Sequence, residues 1–311
     1  MQVYLGIDWS RYKHDAVFMN EAGEAIAQLV LGHDVEGFGR LEAVRAKLGV
    51  SPAQCLVGLE TAHNLLVDFL WDRGYQQVYV VPPQMVKSNR SRFRQSGARS
   101  DPTDAFVVAD MLRTDRGRLY PWLPDSPLTR QIRAKISLTL HLTQTSVRLS
   151  NRLRDVLWRY HPGALQVFAN LTSNITLAFV QAYPTPQAAA GLSWEAFERF
   201  AHSQRYSHRS RLRRGFAQLQ ALQLAPNPAT IASYQEEAPL LARLLQQTLQ
   251  AKKKELAEVS DLFDQHPDAR LFRSLPGAGS LLAPGLLAQF GDDRRRFPTP
   301  ESLQAWPALA R

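Results

Sequence analysis

Near the start of the chain stands Val3-Tyr4-Leu5-Gly6-Ile7-Asp8-Trp9-Ser10, an apolar run that ends on an acid. The run predicts a buried β-strand with Asp8 at its carboxyl end. Open α/β sheets place their chemistry at that end of their strands, so Asp8 is a candidate functional residue. A strand-end aspartate can equally do no more than start a turn, and a string as short as Gly6-Ile7-Asp8 does not decide between the two roles.

The composition describes a globular protein with a basic middle. Its 311 residues are 45% hydrophobic, enough for a sizeable core and for two or three domains. The net charge is +9: residues 1–120 hold 14 Lys and Arg against 14 Asp and Glu, residues 121–260 hold 17 against 8, and residues 261–311 hold 6 against 6. The central excess favours a polyanionic partner such as nucleic acid, although a solvated basic face has the same count.

Cysteine usage and hydropathy predict the compartment. Cys55 is the single cysteine, which excludes a disulfide framework and a cysteine zinc site. No apolar run reaches the roughly 20 residues of a membrane helix, and the chain starts on a strand pattern and not on a signal peptide. We therefore expect a cytoplasmic protein with no membrane partner.

The first 82 residues predict the element order β-β-β-α-β-α-β. Short turns join the first three strands into an antiparallel meander, and the fourth strand ends on Glu60. This order, with acids at the ends of the first and fourth strands, is that of the ribonuclease H-like fold. The predicted strands after the first are His14–Met19, Ala25–Leu31, Gln54–Leu59 and Gln77–Val81, and the predicted helices are Glu36–Leu48 and Asn64–Arg73.

A basic segment, Lys87 to Arg99, precedes the predicted start of another helix at residues 100–104. The segment contains no acid, and we predict a mobile loop that contacts phosphates. Pro102 suits the first helical position, which makes Asp101 the N-cap and places Asp104 on the same helix face. Both acids are also ordinary capping residues, and taken alone that role is the commoner one. The basic residues of the segment are Lys87, Arg90, Arg92, Arg94 and Arg99.

The acids of these elements form one predicted cluster. Asp8, Glu60, Asp101 and Asp104 would repel one another unless a cation neutralised them. Oxygen ligands without nearby cysteine or paired histidine favour Mg²⁺ or Mn²⁺. Two such ions, about 4 Å apart, stabilise the attacking and leaving oxygens in phosphodiester chemistry. The pattern therefore indicates metal-dependent chemistry on a nucleic acid.

Three stretches carry a resemblance to a known family: Gly6-Ile7-Asp8-Trp9-Ser10, Gly58-Leu59-Glu60-Thr61 and residues 87–105. They resemble the DEDD-type insertion-sequence transposases, kin of the pilin-gene invertases, whose N-terminal domain is similar to the RuvC Holliday-junction resolvase. The resemblance covers about the first 115 residues. It implies that Asp8, Glu60, Asp101 and Asp104 are the catalytic metal ligands, that the cofactor is Mg²⁺ or Mn²⁺, and that the partners are element-end DNA and a structured guide RNA.

The middle segment predicts long helices. Apolar residues at coiled-coil spacing run from Leu138 to Tyr160 and from Leu241 to Phe263. A hairpin within one chain and the stalk of a homo-oligomer both fit that spacing. Residues 205–214 form a basic strip suited to phosphate contact, with Tyr206 available for stacking on bases. The arginines of the strip are Arg205, Arg209, Arg211, Arg213 and Arg214.

The last segment resembles a helix-hairpin-helix motif. Its glycine-rich turn, with Gly277 and Gly279, would present backbone N–H groups to a phosphate. Pro284 predicts a kink or a new start in the helix that follows, and residues 297–309 predict one more helix. The expected architecture is thus α/β plus all-α: a RuvC-like mixed-sheet catalytic domain over residues 1–120, a basic coiled-coil-type helical region over 121–265, and a partial helical C-terminal domain over 266–311.

The family resemblance also implies a serine that this chain does not show. In the family, the acidic site works with a serine nucleophile in a Ser-Gly stretch beyond the helix that corresponds to residues 298–309. Ser274, Ser280 and Ser302 do not match that motif, so we assign no serine nucleophile in this chain. We expect a truncated or decayed family member that binds nucleic acid and metal without completing strand exchange by itself.

Three other functions compete with this interpretation. An actin-like or sugar-kinase-like ATPase begins with a similar strand, but Trp9-Ser10-Arg11 leaves little room for a phosphate-binding turn. A nucleic-acid-binding protein with inactive acids has the same charge pattern, and magnesium-dependent nicking would separate it from an enzyme. A stand-alone RuvC-like junction nuclease would need neither the basic middle nor the hairpin motif.

Overall fold

The computed structural model describes residues 2–10, 12–60, 65–90, 92–93, 104–221 and 227–301, with Arg209 described by its backbone only. They form two compact units. The sheet unit comprises the described residues up to Asp125 and those from Asp293 onward, and the helical unit comprises Ser126–Asp292. The domain limits expected after residues 120 and 265 stay predictions.

The sheet unit contains a mixed sheet of five strands in the order β3-β2-β1-β4-β5. Strands β1, β2 and β3 are antiparallel neighbours, whereas β4 runs parallel to β1 and β5 parallel to β4. The predicted mixed sheet with helices is confirmed, and its order is consistent with a ribonuclease H-like domain. The strands are β1 Val3–Trp9, β2 Lys13–Met19, β3 Ala25–Gly32, β4 Cys55–Leu59 and β5 Val78–Val80, and the α-helices are α1 Val35–Lys47, α2 Leu65–Asp72, α3 Pro83–Arg90 and α4 Asp104–Asp115.

Alternation along β1 separates the two faces of the sheet. Val3, Leu5 and Ile7 belong to a core cluster with residues of α1 and α2. Tyr4 belongs to a different cluster, which includes Ala109 of α4. Residues of β1 with even numbers, Asp8 among them, therefore share the face on which α4 packs.

Two glycines allow α4 to lie directly on that face. Gly6 and Gly58 are partners in the β1–β4 register. A Cβ on Gly6 would lie 1.9 Å from the carbonyl oxygen of Ala105, and one on Gly58 would lie 2.7 Å from the Val108 side chain. The α4 backbone at Gly6 and α4 side chains at Gly58 occupy the space that larger residues would need, so the β1–β4 pair and α4 are in close contact.

The predicted basic loop is partly wrong. Lys87 and Arg90 lie in helix α3, which follows Pro82 and buries Val86 against α4 residues. Charge density alone suggested a loop, but Met85, Val86 and Phe93 provide apolar contacts that hold this segment on the domain. Arg92 follows in a turn, while Arg94 and Arg99 lie outside the described residues.

Two long antiparallel helices, α5 and α12, organise the helical unit. Lys135 near the start of α5 contacts Glu255 (Nζ to Oε2, 2.8 Å) near the end of α12, and Arg152 near the end of α5 contacts Glu237 (Nη2 to Oε1, 2.7 Å) at the start of α12. The pairing supports the hairpin within one chain, while a coiled-coil supercoil and an oligomer stay predictions. The helices of the unit are α5 Pro127–Tyr160, α6 Gly163–Gln166, α7 Asn174–Ala182, α8 Pro186–Ala190, α9 Trp194–Ser203, α10 Arg209–Ala221, α11 Pro228–Tyr234, α12 Glu237–Asp264, α13 Ala269–Arg273 and α14 Leu282–Phe290.

Burial along α5 agrees with the predicted seam only toward the end of the helix, and the coiled-coil seam itself stays a prediction. Leu153, Val156 and Tyr160 are buried, but Leu138 is 43% exposed. The helix begins earlier, at Pro127, where the Ser126 side chain accepts a hydrogen bond from the Thr129 backbone N–H.

Among the described helices, none combines the length and apolar character that a bilayer crossing requires.

Pro284 neither kinks nor restarts its helix. Helix α14 runs from Leu282 to Phe290, so Pro284 is its third residue. The first turn of a helix has no intrahelical partner for its N–H groups, and a proline there loses no hydrogen bond. The predicted kink was wrong because Pro284 lies in the first turn of the helix and not in its middle.

A buried histidine makes the helical unit sensitive to acid. His161 follows α5, is 2% exposed, and its Nε2 has no hydrogen-bond partner among the described residues. Burial lowers the pKa of His161 to about 4. Because this value lies below that of an unfolded histidine, protonation favours unfolding as the pH falls through the interval from 6.5 to about 4.

We expect acid to cost the folded state about 3 kcal/mol through this residue alone. Thermal unfolding followed by circular dichroism between pH 7 and pH 4 measures the loss. His161→Leu should reduce the pH dependence by the contribution of this residue, whereas His202→Leu, at an exposed position of α9, should leave it unchanged. Equal slopes for the wild type and the His161→Leu variant would contradict this assignment.

Candidate acidic site and basic surface

Two acids lie side by side at the ends of neighbouring parallel strands. Ile7 and Leu59 are register partners, so Asp8 and Glu60 are the next residues along β1 and β4. Asp8 comes two residues after Gly6, and Glu60 two residues after Gly58. Both acids therefore share the sheet face of these glycines, on which α4 packs. Each carboxylate is partly buried. The two side chains therefore point toward the face on which α4 begins.

Asp104 is the first residue of α4, and its side chain is 17% exposed. Arg90, the last residue of α3, donates from Nε and Nη2 to the two carboxylate oxygens of Asp104. This is a bidentate, charge-assisted pair, the strongest geometry that a guanidinium and a carboxylate adopt. Asp104 is thus paired, at the acidic site, with a cation from its own chain.

The pKa values show that the three acids share one environment. Burial raises the pKa of Asp8, and the nearby charges of Asp104 and Asp15 raise it further. Burial also raises the pKa of Glu60, followed by the charges of Asp8 and Asp104. Arg90 acts against both shifts. Like charges at partly buried positions disfavour ionisation, so the site attracts cations.

The acids lie near one another, but the described side chains do not form a complete metal-coordination site. Within the part of the chain that the structure describes, no group of three His, Cys, Asp or Glu side chains is arranged to hold a metal ion. Asp101, the fourth predicted ligand, lies outside the described residues. The donor set of carboxylate oxygens still suits a hard divalent cation. Arg90, which holds both oxygens of Asp104, is the feature that stands against immediate coordination.

Four residues beside the site were missed by the sequence pattern. Asp15 lies opposite Asp8 in the β1–β2 register. His14 is buried and stacks on Trp9 with ring centroids 5.9 Å apart. The distance from Nε2 of His14 to Nδ1 of His33 is 2.9 Å. The Nε1 atom of Trp9 is buried without a hydrogen-bond partner among the described residues. Only the antiparallel pairing of the strands could have joined His14, Asp15 and His33 to the site, because they are 6, 7 and 25 positions from Asp8 in the sequence.

The predicted basic residues are mostly on the surface. The side chains of Lys87, Arg92, Arg205, Arg211, Arg213 and Arg214 are exposed, and α10 carries the last three. Arg213 also lies over the Trp194 ring at 5.2 Å from its centroid. Tyr206 does not fit the predicted role in base stacking, because it packs edge-on against Phe168, 5.6 Å away, in the core cluster of the helical unit.

The glycine-rich turn between α13 and α14 is partly closed on itself. Gly277 has a φ of +75°, a conformation that favours glycine. The Gly279 N–H donates to the Gly277 carbonyl oxygen (3.0 Å), and the Ala278 N–H donates to the Leu275 carbonyl oxygen (3.1 Å). Two of the amides that the motif would present to a phosphate are thus already bonded within the turn.

Comparison with known proteins adds independent information. A family model for DEDD transposases of the IS110 type matches residues 5–162, and a second one, described as the transposase IS116/IS110/IS902 family, matches residues 269–311. The protein named as the transposase of the IS117 mini-circle in Streptomyces coelicolor is 31% identical, over the whole of this chain and 76% of its own length.

The chain belongs to the IS110 family of transposases.

Two further relatives agree with this membership. A protein of Sinorhizobium fredii named as transposase y4uE is 31% identical over 60% of this chain and 52% of its own length. The 43.6 kDa protein of the insertion element IS110 from Streptomyces coelicolor is 24% identical over 99% of this chain and 75% of its own length. The resemblance predicted from Asp8, Glu60 and residues 87–105 is thereby confirmed. Transposases are enzymes that act on DNA, and this IS110-family chain is one of them by descent.

Proposed function

We propose that this IS110-family chain performs metal-dependent phosphodiester chemistry with Asp8, Glu60, Asp104 and Asp101 as ligands of Mg²⁺ or Mn²⁺. The observation that carries the proposal is the placement of Asp8 and Glu60 on one sheet face beside the start of α4, where Asp104 raises the pKa of both. A bound divalent ion would supply charge stabilisation to the oxygens of the phosphodiester. The carboxylates themselves would hold that charge at the strand ends, beside the buried core of the sheet.

Calorimetric titration with Mn²⁺ tests the site directly. We expect binding that is lost when EDTA is present in excess. If no heat of binding is measured at millimolar Mn²⁺, the acids are no metal site, and the alternative of a nucleic-acid-binding protein without chemistry gains support. The same alternative is favoured by the pair that Arg90 and Asp104 form in this structure.

For nucleic acid we propose two basic surfaces, one on each unit. On the sheet unit the surface comprises Lys87 and Arg92, and on the helical unit it comprises Arg205, Arg211, Arg213 and Arg214. Arg94, Arg99 and the side chain of Arg209, also predicted to contact nucleic acid, lie outside the described part of the chain. Family membership supports DNA as a partner, and we propose a structured guide RNA as a further one. We also propose a cytoplasmic site of action. Gly277 and Gly279 remain proposed phosphate contacts, with fewer free amides than the motif suggested.

The helical surface has a quantitative test. We expect Arg211→Gln, Arg213→Gln and Arg214→Gln together to weaken DNA and RNA binding about tenfold or more at moderate salt. The slope of log affinity against log salt concentration should also become shallower by an amount that corresponds to about three lost phosphate contacts. A filter-binding titration at several salt concentrations measures both quantities. The matched control changes three exposed cations elsewhere in the helical unit, Arg154, Lys253 and Arg270, to Gln. Equal losses in both triple variants would show that only net charge matters.

Self-association is a further part of the proposal. Leu140, Val147 and Trp158 of α5 are 44%, 52% and 55% exposed and are spaced by two and three helical turns, so they share one side of the helix. Such an apolar stripe suits a second copy of the chain, as the family resemblance implies for its helical region.

A further inference from the structure

Among the described residues, Arg90 places a positive charge directly at the acidic site. The guanidinium of Arg90 donates to both oxygens of Asp104, and its charge also acts on Asp8 and Glu60. Lys87, on the same helix, acts on Glu60. Arg90 therefore occupies the electrostatic position that a divalent cation would take among these acids.

The geometry of this pair conflicts with coordination by Asp104. A carboxylate that accepts two charge-assisted hydrogen bonds from one guanidinium has both oxygens engaged. Each oxygen keeps a second lone pair, but the positive charge of the guanidinium beside it opposes a divalent cation, so the intact pair weakens coordination by Asp104. The pair is only partly shielded from water, with the Arg90 side chain 41% exposed, so breaking it costs far less than breaking a buried ion pair.

We propose that Arg90 is a positioning residue, which holds Asp104 at the acidic site until a divalent cation replaces it. This inference rests on the proposed function, because it assumes that Asp104 is a metal ligand. The metal and the guanidinium compete for the same two oxygens, and the ordering of Asp104 by Arg90 precedes metal entry. Once displaced, Arg90 lies in the last turn of α3 together with Lys87, where a phosphate can accept its hydrogen bonds.

A purely structural role for Arg90 makes the opposite prediction. If the pair only ties α3 to α4, then removing the guanidinium loosens the start of α4 and weakens metal binding. If the pair competes with metal, then removing the guanidinium exposes both oxygens of Asp104 and strengthens metal binding. The sign of the change in affinity separates the two roles.

The experiment is a calorimetric titration of the full chain with Mn²⁺ for the wild type, Arg90→Gln and Arg118→Gln. We expect Arg90→Gln to bind Mn²⁺ about fivefold more tightly. This ratio corresponds to the largest free energy that a partly exposed ion pair contributes. Arg118→Gln removes the same charge from an 81% exposed side chain of the same unit, one that does not act on Asp8 or Glu60. It should change the affinity by less than about twofold.

Arg90→Lys and the Asp8→Asn variant separate the remaining outcomes. Lysine keeps the positive charge but cannot form the bidentate hydrogen bonds. We therefore expect Arg90→Lys to have a Mn²⁺ affinity between those of the wild type and Arg90→Gln. Equal or weaker Mn²⁺ binding by Arg90→Gln, with binding abolished by Asp8→Asn, would overturn the role of Arg90 and leave the metal site standing. Absence of Mn²⁺ binding in every variant would overturn the metal site and this inference together.

Discussion

Replacing Asp8 by asparagine is expected to abolish Mn²⁺ binding and to reduce magnesium-dependent cleavage of element-end DNA at least about a hundredfold. The reason is that Asp8 lies centrally among the described acids, with Glu60 beside it and Asp104 acting on its pKa. Asparagine preserves the size of the side chain but removes the charge that a divalent ion requires. Calorimetry and a gel-based cleavage assay measure the two losses.

The same substitution should not destabilise the metal-free protein. The raised pKa of Asp8 means that its ionised form costs folding free energy, and this cost appears as the pH rises through the pKa of the folded state. Asparagine has no such cost, so we expect a thermal midpoint equal to or above that of the wild type at pH 7. Loss of activity together with a stable fold would identify a functional acid and exclude a merely structural one.

Asp72→Asn is the matched control, because Asp72 is an exposed acid of α2 in the same unit. It should leave Mn²⁺ affinity and cleavage within about twofold of the wild type, since Asp72 is not among the charges that shift the pKa of Asp8 or Glu60 and an exposed charge is screened by salt. If Asp8→Asn cleaved DNA like the Asp72→Asn control, the proposed metal chemistry at the strand ends would be wrong.

Gly6→Ala is expected to destabilise the sheet unit by about 3 kcal/mol or more. The added Cβ would lie 1.9 Å from the carbonyl oxygen of Ala105 and 2.5 Å from the backbone nitrogen of Ala109. Both atoms belong to the backbone of α4, which cannot move aside as the end of a flexible side chain can. Either β1 or α4 must shift, and chemical denaturation followed by circular dichroism measures the cost.

Gly39→Ala provides the contrast with the same chemical change. Gly39 is exposed on α1, and a Cβ there meets nothing within 4 Å. Alanine has the higher helix propensity, so this variant should be more stable than the wild type by up to about 1 kcal/mol. Opposite signs for the two variants are expected. A Gly6→Ala protein as stable as the wild type would contradict the close packing of α4 on β1.

This packing also links the fold to the proposed chemistry. If α4 shifts away from Gly6, Asp104 at the start of α4 shifts with it, away from Asp8 and Glu60. A Gly6→Ala protein that still folds should therefore bind Mn²⁺ more weakly, although Gly6 carries no ligand atom. We expect the loss of affinity to accompany the loss of stability, whereas Gly39→Ala should change stability only.

Local patterns were sufficient for several parts of this protein. Alternating and continuous apolar runs located all five strands within two residues of their observed ends, because burial and strand period act over a few neighbouring residues. The strand-end acids Asp8 and Glu60, together with residues 87–105, were enough to recognise the transposase family that the comparisons then confirmed. The central excess of Lys and Arg likewise located the basic surface of α10.

Tertiary structure alone decided how these parts meet. The pairing of Asp8 with Asp15 depends on the antiparallel register, and the contact of α4 with Gly6 and Gly58 depends on the alternation of two strands against a helix about 50 residues or more further along the chain. The Arg90–Asp104 pair depends on α3 being a helix and not the predicted loop. Such contacts join residues distant in sequence, and their geometry follows from packing the whole unit, which no local pattern contains.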